Sequence, residues 1–411
     1  MFAETHRGTI QRDRHEISKG SIAGMRIWLA IAFLSSIAEA QQPYRIVREG
    51  PYFVRMEQGI LPAPRAGSIR ILTTGKVHAQ GEARHDILYQ FKQRVRARNY
   101  DEAIRLFSGA TVQMTGQSQL PVLQFRGGSP AVTSEVVLRV PKHLPDVHLE
   151  VDDGMVSALD LDGFVTATAK SGPIVLDRIA KSVIASTGGG EMRLGRIGGR
   201  IRCTSGGGGI FIETAGAEST LQTAGGEVVI REALGPVSIS SGGGNVQVER
   251  AASVVTAHTN GGLVEIGRAL GVVQAQTLGG AIEVGAANGA NCQSAAGAIR
   301  LRDVTGPVRA SALMGSILAE LGGHNFSDSF LDAKSGDITV WIPSTLAVTV
   351  QAESDAAGRV GKILSDFPEI GARTAIWAFG SPVRAGGAIN GGGPLLRLSA
   401  TGGVIYLKRQ E

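Results

Sequence analysis

Aromatic side chains are scarce, at 5% of the chain. An ordinary globular core draws much of its buried area from Phe, Tyr and Trp. Burial here must come instead from repeated small and branched aliphatic side chains. Charge of one sign is also missing. The formal net charge is +5, and Lys and Arg are interspersed with the acids, so no nucleic-acid footprint is present. The single basic run, Lys92-Gln-Arg94-Val-Arg96-Ala-Arg98, alternates with other residues; on a strand it places its charges on one solvated face.

Chemistry-bearing motifs are absent too. Gly206-Gly-Gly-Gly209 lacks the Lys-Ser/Thr of a phosphate-binding loop. Gly361-Lys362 is followed by Ile363 and lacks the upstream glycine. No His-Glu-x-x-His and no Cys-x-x-Cys occurs, so neither a metal site nor a cofactor is expected. Asp152/Asp153 and Asp160/Asp162 read as solvated acids rather than general acid/base pairs. Asn325-Phe-Ser327 matches a glycosylation sequon but carries little weight.

Long apolar runs are limited to one. Met25-Arg26 followed by Ile27–Leu34 and then Ala38-Glu39-Ala40 has the basic start, short apolar stretch and small-residue cleavage site of an export signal. The run is too short for a comfortable membrane span. Residues 1–40 therefore read as an over-extended start plus a signal peptide over Met25–Ala40. The chain is expected to be exported, to the periplasm or to the extracellular or cell surface, with no stable membrane span after cleavage.

Glycine is abundant, with 57 residues, and its placement is regular. Gly154, Gly172, Gly190, Gly208, Gly226, Gly244, Gly262 and Gly280 stand eighteen apart; Gly297, Gly315 and Gly336 continue the series with slips. A collagen repeat is excluded, because the glycines do not recur every third residue. Two and four positions after each glycine lie apolar pairs, as in Val228/Ile230, Val246/Val248 and Ile282/Val284. Seven and five positions before it lie a second apolar set, as in Val237/Ile239 and Val255/Ala257. Both alternate with period two, the mark of half-buried strands. One such rung cannot bury its own apolar face, but stacked rungs share a continuous core. The expected fold is all-β: a single-chain β-solenoid (β-helix) of about 18-residue rungs over 151–343. Residues 41–150 form a β-rich N-terminal cap region, with strands near Ser68–Leu72, Asp86–Phe91 and Ser134–Val140 and a short helix over Tyr100–Phe107. Residues 344–411 are expected to close the stack with strands near Leu395–Leu398 and Gly403–Leu407. The rung glycine is expected to turn a corner with φ > 0 and to let rungs approach closely.

Two further columns follow from the register. Three positions before the glycine lie Thr187, Ser205, Thr223, Ser241, Thr259, Thr277 and Ser294. They share the parity of the buried positions, so their hydroxyls should bond neighbouring backbone at the corner. No array of outward Thr-x-Thr pairs exists to support an ice-binding face. Cys203 and Cys292 occupy the same rung position five rungs apart, about 24 Å at the spacing of strands in a sheet. They should be buried free thiols.

The outward columns carry whatever the core does not dictate. Gln222, Ser240, His258, Gln276 and Gln293 lie on one of them, and Gln274 and Arg309 on its neighbour. Together they form a polar ladder with few charges, the candidate binding face. His258 stands alone and reads as a surface histidine rather than a catalytic base.

Ser335-Gly-Asp-Ile-Thr-Val340, Thr223-Ala-Gly-Gly-Glu-Val228 and Thr401-Gly-Gly-Val-Ile-Tyr406 resemble the bacterial putative-adhesin β-solenoid family, a family of unknown function, over about 130–409. The resemblance implies an exported β-solenoid with proposed adhesion and offers no catalytic residues. The reading that follows is a non-enzymatic, adhesin-like module presenting a polar sheet face to an envelope or extracellular polysaccharide or protein. Two alternatives are a polysaccharide-active β-helix enzyme, which needs clustered carboxylates or basic residues over a groove, and a self-assembling scaffold. A hexapeptide acyltransferase also has eighteen residues per turn, but its apolar residue recurs every six, which these columns do not.

Overall fold

The computed structural model describes residues 44–64, 67–115, 121–355, 362–371, 373–374 and 382–410. The segment expected to be an export signal and the expected over-extended start lie outside the described residues. Nearly everything described is strand, and most strand pairs are parallel. Two ladders run side by side. One stacks Val183–Thr187, Ile201–Ser205, Ser219–Thr223, Val237–Ser241, Val255–Thr259 and Val273–Thr277. The other stacks Met192–Ile197, Ile210–Ala215, Val228–Ala233, Val246–Ala251 and Val264–Ala269. Each rung contributes one strand to each ladder, and the inward side chains of both form one continuous core. The repeat therefore is a β-solenoid.

The core columns include those at −7, −5, +2 and +4 from the rung glycine, as Val237, Ile239, Val246 and Val248 show. A further buried column, at +7, runs through Ile197, Ala215, Ala233, Ala251 and Ala269. It arises because each strand of the second ladder skips one residue of pairing. Ile230 pairs with Val248 and Glu232 with Arg250 in one unbroken register, while Arg231 and Glu249 between them are unpaired. This stacked break in the pairing leaves two adjacent residues on the outside and returns the third to the core.

Of the two properties expected of the rung glycine, close approach holds along the column and a left-handed φ does not. Among the glycines of the eighteen-residue series only Gly154 has a left-handed φ, of 147°. The others are needed for close approach. A Cβ on Gly226 would collide with the carbonyl of Gly208 one rung below, and one on Gly244 with that of Gly226. The column of glycines is a line where successive backbones pass too near for any side chain.

The hydroxyl column completes that corner. Thr223 Oγ1 donates to the Gly208 carbonyl at 3.0 Å and accepts from the Gly226 N–H at 3.1 Å. Ser241, Thr259 and Thr277 repeat the arrangement on the next three rungs. Each hydroxyl thus satisfies one backbone group of its own rung and one of the rung below, in a place where no ladder bond is available.

Both ends are interleaved. The rung 68–82 lies between 122–141 and 146–161, pairing in parallel with each. At the other end 395–410 lies between 329–343 and 348–365, again parallel to both. The parallel ladder therefore reaches past both ends of the 151–343 repeat. Antiparallel strands follow on the outside: Asp86–Arg96, Tyr52–Pro62 and Tyr44–Glu49 beyond 133–141, and Val383–Ile389 beyond Val348–Asp355. The helix Tyr100–Phe107 sits in the N-terminal cap. Asn99 accepts from the Glu102 N–H at 2.9 Å, and Glu102 accepts from the Arg98 N–H at 2.7 Å, which fixes its start from both sides. It buries Ala103 and Phe107 against Phe53 and Val95. On Asp86–Arg96, Arg94 and Arg96 point to solvent while Gln93 and Val95 are buried, the alternation expected of the basic run.

Candidate binding face

The two outer faces of the stack differ in chemistry. Outward residues of the second ladder form ion pairs between rungs. Arg231 reaches Glu213 at 3.3 Å and Glu249 at 4.0 Å, and Arg300 reaches Glu283 at 2.6 Å. All are well exposed, so each contributes well under about 1 kcal/mol, but together they make a charged, self-neutralised surface. This face was not singled out from the sequence. Its signal was the pair of consecutive polar residues, Arg231-Glu232 or Glu249-Arg250, where strict alternation predicts one.

The first ladder carries the opposite character. Register places Gln222 beside Ser240, Ser240 beside His258, His258 beside Gln276, and Gln276 beside Gln293. The parallel column runs Ser238, Thr256, Gln274, Asn291, Arg309. Between Arg202 and Arg309 this face holds hydroxyls, amides and one imidazole, with no acid and no lysine. Gln222, Ser240, Gln274, Gln276, Gln293 and Arg309 are exposed and His258 is half-buried. Gln274 and Gln276 share one strand, and Gln276 Nε2 donates to Gln293 Oε1 at 3.3 Å. Gln222 lies four rungs from Gln293, about 19 Å away, and Arg309 lies a rung past Gln293, its guanidinium over the Phe330 ring at 5.8 Å. The seven residues therefore belong to one surface but not to one contact site.

Part of the surface is concave. A recess of ≈ 330 Å³ is lined by His258, Gln276, Gln293 and Ser311 on one side and by Asn260, Leu278, Ala295 and Leu313 on the other. The second set was missed at the sequence level. Those residues occupy the corner position two before the rung glycine, where earlier rungs have Gly188, Gly206, Ala224 and Gly242. Larger side chains at three of four successive rungs, Asn260, Leu278 and Leu313, raise a wall beside the polar ladder. Leu278 is 62% exposed and Leu313 54%, comparable to Leu270 and Leu234 elsewhere on the surface.

Chemically reactive groups lie away from this face. Cys203 and Cys292 are buried and unpaired, and burial pushes each thiol up to about 12. Ladder pairing leads from Cys203 through Leu221, Ile239, Ala257 and Ala275 to Cys292, which keeps them five rungs apart. The cluster Asp160–Arg178–Asp177 is a structural clamp. Arg178 bridges both acids, and Asp177 also accepts from the Arg196 N–H at 3.1 Å. Hydrogen bonding to Asp160 raises the Arg178 pKa. Among the described residues no group of three or more His, Cys, Asp or Glu is placed to hold a metal ion, and no helix is long and apolar enough to cross a membrane.

Comparison with known proteins adds little. No family model matches the chain, and no curated protein matches it. One solved structure, described as a putative cell adhesion protein from Clostridium sporogenes, aligns over 87% of this chain and 100% of its own, at 8% identity and a TM-score of 0.20. That likeness is too weak to carry an argument.

Proposed function

We propose that this protein is a non-enzymatic, exported, adhesin-like module whose uncharged sheet face binds an extended polymer or a protein of the cell envelope or its surroundings. The observation that carries the reading is the contrast between the two faces. A face that merely stays soluble has no reason to exclude acids and lysines over the rungs from Thr204 to Gln293, when the opposite face of the same rungs is laced with ion pairs. Amides and hydroxyls without fixed charge favour a partner rich in hydroxyl and amide groups and give up long-range steering. The export pattern at Met25–Ala40 puts such a partner outside the cytoplasm.

The test is retention of the full-length protein on immobilised polysaccharides and purified envelope proteins, with reducing ends assayed in the same wells. The expected result is retention that drops at least tenfold in Gln222→Lys/Gln276→Lys/Gln293→Lys, with no new reducing ends. New reducing ends would replace this reading with the enzymatic one. Retention indifferent to the triple change would remove the face from the account.

A further inference from the structure

The recess has a direction. Its lining comes from four successive rungs, at 258–260, 276–278, 293–295 and 311–313, so it runs along the solenoid axis and across the strands. A polymer held in it must therefore lie perpendicular to the strands and meet equivalent side chains once per rung, about every 4.8 Å. An extended polypeptide advances about 3.3 Å per residue and a polyproline-type chain about 3.1 Å. Either chain meets the rungs in step only at every third residue, on every second rung. An extended chain of β-linked pyranoses advances by close to one rung spacing per sugar and so presents one unit to every rung.

The two walls agree with the same ligand. One is mostly apolar: Leu278, Ala295 and Leu313, with the Asn260 amide at its end. The other offers amide, imidazole and hydroxyl groups from His258, Gln276, Gln293 and Ser311. A pyranose ring is amphipathic in the matching way, with a C–H face and a rim of hydroxyls. No acid, lysine or arginine lines the recess, so no fixed charge is there to pair with a uronate or a sulfate. Aromatic stacking platforms are missing from the lining as well, which makes each sugar's contribution small and the total dependent on how many rungs are engaged.

We infer that this recess is a subsite for a neutral, extended, β-linked glycan lying along the solenoid axis with one sugar per rung. The inference rests on the reading of the polar face as a binding surface and names its ligand class.

The test is calorimetric titration of the full-length protein with neutral β-linked glucose and N-acetylglucosamine oligomers of two to eight units, alongside uronate oligomers of matched length. Expected is a several-fold gain in affinity for each added sugar up to four, then a plateau. Uronates should bind at least tenfold more weakly. Gln276→Glu/Gln293→Glu should lose at least tenfold, Leu278→Ala/Leu313→Ala several-fold, and Arg231→Gln on the opposite face nothing. No binding by any neutral oligomer, no dependence on length, or a preference for the uronates would each overturn the glycan assignment. If an envelope protein is then retained through Gln276 and Gln293, the broader reading of the face stands without it. If nothing is retained through those residues, both fall.

Discussion

The Thr259 hydroxyl offers the sharpest test of how the stack is held together. It donates to the Gly244 carbonyl at 2.9 Å and accepts from the Gly262 N–H at 3.2 Å, in a residue only 4% exposed. Thr259→Val keeps the shape and removes both bonds. A buried backbone group that loses its partner costs about 1–3 kcal/mol. One of the two groups sits nearer the surface, so the loss should total about 2–4 kcal/mol. Thr259→Ser keeps both bonds and removes one methyl, worth about 1 kcal/mol. Serine should therefore be better tolerated than valine, the reverse of the order that apolar burial alone dictates. A stack of repeats can open locally, so the measurement is amide hydrogen exchange across 244–262 together with the urea midpoint. Valine should deprotect this corner and serine should leave it nearly intact. Valine protection equal to or above that of serine would show that the column acts by packing, and the hydrogen-bonded clip would have to be abandoned.

Three further outcomes follow from the same structure. Gly226→Ala should cost about 3 kcal/mol or more, because its Cβ meets backbone of the rung below, whereas Gly225→Ala next to it, with nothing within 4 Å, should shift the melting temperature little; equal shifts would refute the close-approach account. Cys203 and Cys292, pushed up to about 12 by burial, should resist thiol reagents at pH 8 until urea is added. Unfolded thiols deprotonate near pH 8.5, so the stabilisation tied to the protonated folded thiols is complete below that pH and lost as pH rises towards 12; Cys203→Ala/Cys292→Ala should flatten this alkaline loss in pH-dependent urea melts, and an unchanged slope would contradict it. Arg178→Ala should destabilise by about 2–3 kcal/mol, since it strands the buried Asp177 carboxylate; Asp177→Asn in the same chain should recover part of the loss, and no recovery in thermal melts would place the effect elsewhere.

The repeat was legible because a solenoid writes its register into the sequence. Val228, Val246 and Val264 fall on one period, and the stacked rungs fall on the same one. The hydroxyl corner and the five-rung separation of the thiols were readable for the same reason. The helix over Tyr100–Phe107 carried its own start residues, Asn99 and Glu102. The +7 core column was not legible, because the break in pairing that creates it interrupts the period-two alternation used to assign inside and outside. The glycine corner was read for two properties, of which close approach holds and positive φ does not: both select the same residue, and sequence does not separate them. The candidate face was legible as a polarity pattern, but its concavity was not. That depended on Leu278 and Leu313, which look like core residues until the register turns them outward. The interleaved ends were invisible, since nothing local in 395–410 says which two rungs it will join.

That interleaving bears on the order in which the molecule can be completed. The strands of 395–410 follow 348–365 in sequence, yet they occupy the slot between it and 329–343. Until they arrive, two rungs that are near neighbours along the chain face one another across an unfilled gap, each with a row of free backbone donors and acceptors. Closure of this end is therefore an insertion, not an addition, and it pairs residues 67 positions apart, as Asp328 and Leu395 do. Long-range pairing of that kind is slow, and exposed strand edges recruit other chains while they wait. The same slot that makes the finished stack hard to unzip from its end makes the unfinished one a template for a second copy. The interval before the slot is filled is the period in which this protein most needs protection from itself.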